Sequence, residues 1–179
     1  MEYKNLSPGF TLLELMIVLS ILGILAGISI PAFSSWLPDY RLRSAARELF
    51  SNMKLAKMMA LKSNSIYRVV FDPNAEGSYS IEGPDGEVEK AVEFLGYDSN
   101  GNIGYGCGNA TKNATVSGGP FPGDFISYVN NKATFNSRYM GSAGYVYLAN
   151  NRGTAYAVGT WSTGNVLLKK WNETTDSWE

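Results

Sequence analysis

Histidine is missing from this chain, and cysteine occurs once, at Cys107. The absence of histidine removes the commonest general base and the commonest metal ligand. A single cysteine excludes an intrachain disulfide, so the fold must depend on a packed core. The sequence also has no serine–histidine–aspartate set, no clustered metal ligands and no phosphate-binding glycine loop. These absences predict a protein that is not an enzyme and that needs neither a metal nor a cofactor.

The chain also lacks an excess of either charge, with 15 Lys/Arg and 16 Asp/Glu among 179 residues. A net charge of −1 provides no general attraction to nucleic acid or to anionic membranes. The distribution is less even, since residues 39–64 hold six Lys/Arg and two Asp/Glu, whereas residues 65–179 hold eight and twelve. The sequence therefore predicts a basic segment followed by an acidic domain of ordinary size.

One long segment, from Leu15 to Pro38, contains no charged residue. At 1.5 Å per residue in a helix, it can cross a hydrocarbon core of about 30 Å. A secretory signal peptide has a shorter apolar region, of about 7–15 residues. Glu14 lies in the first turn, and such a carboxylate costs about 2–3 kcal/mol near hydrocarbon unless it is paired. The closest cation in the chain is Lys4, ten residues upstream, so a partner from another molecule would have to supply the counter-charge.

These residues resemble the leader signal of type IV prepilins. The resemblance rests on Gly9-Phe10, on Glu14 at a fixed distance, and on the apolar run with Pro31 that follows. It implies cleavage by prepilin peptidase after Gly9 and N-methylation of the new terminus, Phe10. It further implies that Glu14 pairs with the terminal amine of a neighbouring subunit during filament assembly.

The resemblance also implies an orientation, with the leader in the cytoplasm and the domain that follows the membrane span in the periplasm. Counting positive charges gives the opposite result. Lys4 precedes the span, whereas Arg41, Arg43 and Arg47 follow it, and the side richer in Lys/Arg normally stays inside. We follow the motif and expect a single-pass protein of the bacterial inner membrane.

Gly23, Gly27 and Pro31 reduce helix propensity inside the span, by about 1 kcal/mol for glycine and 3 kcal/mol for proline. Small residues also allow membrane helices to approach closely. The sequence is compatible with a helix that packs through its glycines and with a segment that loosens on entering a filament. We therefore interpret Gly23, Gly27 and Pro31, together with Glu14, as assembly residues.

An amphipathic helix is predicted over residues 39–64, ending near Ser63-Asn64. Its apolar stripe recurs at three- and four-residue steps and consists of Leu42, Ala46, Leu49, Met53, Ala56 and Ala60. The basic residues mostly lie off this stripe. They could bind DNA, lipid headgroups or acidic neighbouring subunits, or could be a solvated face.

After Ser65, apolar and polar residues alternate with a period of two instead of the helical period, and this alternation predicts an antiparallel sheet. Strands are predicted at residues 66–71, 79–81, 87–92, 132–135, 144–148, 154–159 and 165–171, with turns at 83–86, 151–153 and 162–164. Residues 96–124, rich in Gly, Asn, Ser and Thr, are predicted to form a long surface loop. A long helix followed by antiparallel hairpins indicates an α+β fold.

The stem end and the last three strands are similar to those of H-type minor pseudopilins and FimT-like minor pilins. In FimT-like proteins that bind DNA, the terminal strand carries a Gly-Arg-x-Arg motif. The matching residues here are Gly164-Asn165-Val166-Leu167, and both arginines are absent. Arg41, Arg43, Arg47, Lys169 and Lys170 are the remaining candidates for contact with DNA or another anion.

Three minor features complete the list of candidate sites. Asp72, Asn74 and Glu76 begin like a calcium loop, but Gly83 stands where the final glutamate is required, so we interpret the segment as a turn. Asn109, Asn113 and Asn172 each begin an Asn-x-Thr sequence, the glycosylation acceptor pattern. Cys107 could be a free thiol, an intersubunit bridge or an isolated small residue in a loop.

Together these features predict four segments: a cleaved leader at 1–9, a transmembrane and assembly segment at 10–38, an amphipathic stem at 39–64 and a β-rich head at 65–179. The expected function is a structural subunit of a type IV pilus or a type II secretion pseudopilus. Its expected partners are other pilin or pseudopilin subunits, prepilin peptidase and the inner membrane. The alternative is a minor pilin at the pilus tip that binds DNA for uptake.

Overall fold

The computed structural model describes residues 9–74, 77–138 and 140–179, with residues 30–32 and 34 described by their main chain alone. One α-helix, α1, covers Leu12–Ser63. It ends where the sequence predicted, because Asn64 adopts the left-handed conformation (φ 50°) that asparagine tolerates better than most residues. The described chain divides into two compact units, one ending at Leu37 and the other comprising Pro38–Glu179.

Nine strands follow the helix in the residues that the structure describes: β1 Tyr67–Asp72, β2 Ser78–Glu82, β3 Val88–Glu93, β4 Ile103–Tyr105, β5 Lys132–Phe135, β6 Gly144–Asn150, β7 Ala155–Thr160, β8 Val166–Asn172 and β9 Ser177–Trp178. Short 3₁₀ turns at Phe94–Gly96 and Val129–Asn131 precede β4 and β5. All strand pairs are antiparallel. This arrangement confirms the expected α+β fold.

The strands form two sheets rather than one, with the orders β3-β2-β1-β5 and β4-β6-β7-β8-β9. Along β1, Tyr67, Val69 and Phe71 are buried and alternate with more accessible residues, as the period of two predicts. β7 is different, because every one of its six residues is buried. A strand that is buried along its whole length must be covered on both faces.

The residues from 38 onwards of α1, which we call the stem, supply one side of the main core. All six predicted stripe residues have no exposed surface, and Ala45 is buried beside them. They share one apolar cluster with inward-facing residues of both sheets, such as Val69, Val146 and Val158. The stem is therefore part of the core of the second unit, as its amphipathic period predicts.

The prediction of an uninterrupted surface loop over residues 96–124 was wrong. β4 lies within it, and Ile103 is buried where β4 pairs with β6. Farther along, Ala114 and Phe121 pack against Tyr147, whose hydroxyl accepts a hydrogen bond from the Ala114 amide at 2.9 Å. This segment covers the second face of the second sheet, which explains the complete burial of β7.

Tight turns link the strands where the sequence placed them. The Gly86 amide donates to the Gly83 carbonyl at 3.2 Å between β2 and β3. Gly153 (φ 87°) and Gly164 (φ 70°) end the turns before β7 and β8. Glycine suits these positions because a positive φ strains other residues.

Candidate assembly surfaces

The predicted processing residues and the first predicted assembly residue, Glu14, lie at the start of the helix. Gly9 and Phe10 are exposed just before the helix, and the first eight residues, including most of the expected leader, lie outside the described part of the chain. The Thr11 hydroxyl accepts a hydrogen bond from the Glu14 amide at 3.2 Å. This is the N-cap arrangement of the pattern Thr-x-x-Glu. Sequence reasoning missed Thr11, although the four-residue spacing was the available signal.

Two features of the surroundings of Glu14 have opposite effects on the stability of its charged carboxylate. Its position in the first turn is favourable, because the unpaired amides of a helix start carry partial positive charge. Its apolar neighbours Leu12, Leu13 and Leu15 are all more than half exposed. Among the described residues, no ion pair includes Glu14.

Leu12–Ser29 is long and apolar enough to cross a membrane, with a mean hydropathy of 2.4 and none of its residues buried in the described chain. Its two serines bond within the helix, since Ser20 donates to the Met16 carbonyl and Ser29 to the Leu25 carbonyl, both at 2.8 Å. Such internal bonds satisfy hydroxyl groups that hydrocarbon cannot. The segment therefore has the composition and the hydrogen bonding that a membrane helix requires.

The structure places Gly23, Gly27 and Pro31 within the continuous helix Leu12–Ser63. A Cβ atom added at either glycine would have no neighbour within 4 Å among the described atoms. The two glycines therefore leave open positions on the helix surface, and their predicted role in assembly stays a prediction.

The five basic candidates do not form one patch. Arg41 pairs with Asp98 at 3.1 Å, and Asp98 has only 3% of its side chain exposed. A hydrogen bond from Asn102, assisted by the Asn100 amide and by Arg41, lowers the pKa of Asp98. Lys169 donates to the Ala114 carbonyl at 3.3 Å. Arg41 and Lys169 therefore have structural partners.

The other three candidates, Arg43, Arg47 and Lys170, converge on one groove of the second unit, which Tyr156, Leu168 and Glu179 also line. The arginines are one helical turn apart on the stem, and Lys170 lies on β8 opposite Tyr156 of β7. We call this site the basic groove. It is an exposed cationic surface with an apolar floor.

The calcium candidates are only partly described. Asn74 donates to the Asp72 carboxylate through both its amide nitrogen, at 2.9 Å, and its side chain, at 3.1 Å, which makes a local turn. Glu76 lies outside the described residues. Within the ranges that the structure describes, no group of three or more potential metal ligands occurs.

A polar network between the stem and the first sheet was not anticipated from the sequence. Lys90 of β3 donates to Glu48 and to Asn52, both at 3.0 Å, and Asn52 donates to the Tyr79 hydroxyl at 2.7 Å. The Tyr97 hydroxyl also donates to Glu48. That bond and the bonds and charge of Lys90 lower the pKa of Glu48, whereas burial raises the pKa of Tyr97. Asn52, a polar residue three positions after the stripe residue Leu49, was the signal of this network in the sequence.

Comparisons with known proteins agree with the geometry of the helix start. The family model of the prokaryotic N-terminal methylation motif matches residues 5–30. A type IV major fimbrial protein FimA of Dichelobacter nodosus is 36% identical over 121 residues, which are 60% of this chain and 72% of the relative. A fimbrial protein of the same organism is 37% identical over 120 residues, with 60% and 72% covered.

A more local similarity connects the chain to the fimbrial protein EcpC of Eikenella corrodens, at 50% identity over 48 residues, 27% of this chain and 29% of that protein. No solved structure matches the chain significantly. The finer resemblance to H-type minor pseudopilins and FimT-like minor pilins stays a prediction, because these relatives carry the names of fimbrial proteins. The methylation motif, the exposed apolar helix and the two long alignments show that the chain belongs to the type IV fimbrial proteins, the type IV pilins.

Proposed function

We propose that this chain is a structural subunit of a type IV pilus and not an enzyme. It waits in the inner membrane with its head in the periplasm, is cleaved after Gly9 by prepilin peptidase and assembles through its N-terminal helix. The observation that carries the proposal is the capped helix start, where Phe10 and Thr11 precede the apolar segment Leu12–Ser29, which contains Glu14 and has no buried residue. Relatives named as major fimbrial proteins favour a pilus over a secretion pseudopilus.

The proposed function includes a pairing of charges between subunits. A carboxylate in hydrocarbon costs about 2.5–3.5 kcal/mol at the centre of a span. Cleavage after Gly9 would create an amine on Phe10, four residues before Glu14, and the amine of one subunit could neutralise the Glu14 of the next. The large apolar surface of Leu12–Ser29 would at the same time exchange lipid for neighbouring helices.

Glu14→Ala is the test. The variant should insert into the membrane and be cleaved normally, but the yield of sheared filaments should fall at least about tenfold. Mass spectrometry of the mature protein should show methylated Phe10 at its terminus. Thr11→Ala is the matched control, because it removes the cap, at a cost of about 0.5–2 kcal/mol, and leaves the carboxylate in place. Normal filament yield from Glu14→Ala, or a mature chain that keeps its first nine residues, would contradict the proposal.

DNA capture at a pilus tip remains the alternative function, and the basic groove is the observation in its favour. Three cations can contact few phosphates, and electrostatic affinity for DNA grows with the number of phosphates neutralised. A gel shift with the full chain in detergent would test the alternative. Salt-sensitive binding that is lost in Arg43→Ala/Arg47→Ala would support DNA capture.

A further inference from the structure

Within the described part of the chain, the three cations of the basic groove form no ion pair. Four ion pairs occur among the described residues, and none involves Arg43, Arg47 or Lys170: Arg41–Asp98, Lys90–Glu48, Lys112–Asp176 and Lys132–Glu82. Glu179 lines the groove, but its carboxylate accepts hydrogen bonds from Asn172 and Thr175 instead. The groove therefore presents an excess of positive charge, three cations against the one carboxylate of Glu179, beside the apolar surface of Leu168.

The opposite situation occurs on the other sheet. β3 is an edge strand, and Asp85, Glu87, Glu89 and Glu93 are all exposed along it and along the turn that precedes it. No ion pair among the described residues includes any of the four. Lys90, the cation of β3, contacts Glu48 and Asn52 of the stem. We call these four carboxylates the acidic edge.

The two charged surfaces belong to different elements of the same head. The groove is built from the stem, β7 and β8, whereas the acidic edge belongs to the first sheet. A contact between unlike surfaces of two identical subunits is heterologous, and repeating it generates a ring or an open helical filament rather than a closed dimer. Such a contact would also cover the unpaired edge of β3, which otherwise invites strand addition.

We propose that the basic groove of one subunit receives the acidic edge of a second copy of this chain. The inference rests on the proposed function, since it names the contact between heads within the filament. Individual exposed ion pairs are weak, so this contact sets the register of the heads while the helices hold the filament together. Juxtaposed like charges are strongly unfavourable, which makes the register selective.

Charge exchange tests the pairing in filaments of the full chain. Arg43→Glu/Arg47→Glu and Glu89→Lys/Glu93→Lys should each reduce the yield of sheared filaments about tenfold or more, because like charges then meet. The quadruple variant, which combines the two pairs of substitutions, should regain most of the wild-type yield. The matched control is Lys62→Glu/Arg138→Glu, which makes the same change in net charge at exposed positions outside the groove and should assemble normally.

Each result decides the inference. Unchanged yield in both charge-reversed variants, or no recovery in the combined variant when all three fold normally, would overturn it. Loss of DNA binding with unchanged assembly would assign the groove to nucleic acid instead. If the wild type itself forms no filaments, the proposed function fails, whereas a failure confined to the charge exchange leaves that function intact.

A crosslinking measurement tests the same contact without charge reversal, so its result does not depend on how the charge-reversed variants fold. Cys107→Ser provides a background without thiols, and Arg47→Cys/Glu89→Cys adds one thiol to each surface. A short bis-maleimide is the reagent, since an ion pair holds Cβ atoms farther apart than the 3.5–4.5 Å typical of a disulfide. A ladder of subunit multiples in intact filaments, absent from each single-cysteine variant, is expected. Monomer alone in treated filaments would overturn the proposal.

Discussion

Leu49→Ala measures how much the stem contributes to the stability of the head. Leu49 has no exposed surface and belongs to the cluster that joins the stem to both sheets. Buried Leu→Ala replacements cost about 2.7–5 kcal/mol, from lost burial and from the cavity that remains. A domain is stabilised by about 5–15 kcal/mol in total. The variant should therefore fold but lose a large part of its free energy of unfolding.

The matched control is Leu55→Ala on the same helix. Leu55 is 37% exposed, and the same atoms are removed in the same helical context, so the change in helix propensity is equal. Because solvent already reaches Leu55, little cavity is created, and the expected loss is below about 1 kcal/mol. The difference between the two variants isolates the effect of packing against the sheets.

Urea unfolding of the full chain in detergent micelles provides the measurement. Trp171 is 5% exposed in the head and reports unfolding by fluorescence. With a urea slope of about 2 kcal/mol/M, Leu49→Ala should lower the midpoint by about 1.4–2.5 M, and Leu55→Ala by less than about 0.5 M. Equal shifts in the two variants would refute the conclusion that the stem completes the core.

Two further predictions concern the head. Gly108→Ala should destabilise the head by more than about 2 kcal/mol, because φ is 54° and the new Cβ would lie 2.2 Å from the Gly153 carbonyl oxygen. The control is Gly123→Ala, which should have little effect in the same urea assay because nothing lies within 4 Å of the new Cβ. The hydrogen bond from Tyr97, followed by the bond and charge of Lys90, lowers the pKa of Glu48 below its usual 4.5, so the stabilisation is present above pH 4.5 and is lost as pH falls through the lowered value. The urea midpoint of Glu48→Gln should therefore fall less below pH 4.5 than that of the wild type, and parallel curves would contradict this.

Much of the head followed from local sequence patterns. The helix ends at Ser63, one residue before the asparagine that signals its end, and β5 occupies Lys132–Phe135 as predicted. Periods of 3.6 and 2 depend on neighbours within a few residues, so they can be recognised without knowing the fold. The leader motif is equally local, since Gly9, Phe10 and Glu14 lie within six residues.

Other features required partners far away in the chain. β4 is a strand because Ile103 pairs opposite Asn150, although its flanking residues favour a loop. Arg41 finds Asp98, and Asn52 finds Tyr79, only when the stem lies against the sheets. No local pattern encodes these pairs, because each depends on which surfaces the packed elements bring together.

The sequence by itself determined the long apolar helix, the stem and the alternating strands, because periodicity and the absence of charge act over short stretches of chain. Only the tertiary structure decided that the strands form two sheets, that the glycine-rich segment covers one of them, and that Arg43 and Arg47 line one groove with Lys170. Those outcomes depend on long-range packing, where burial of apolar surface selects which distant segments become neighbours.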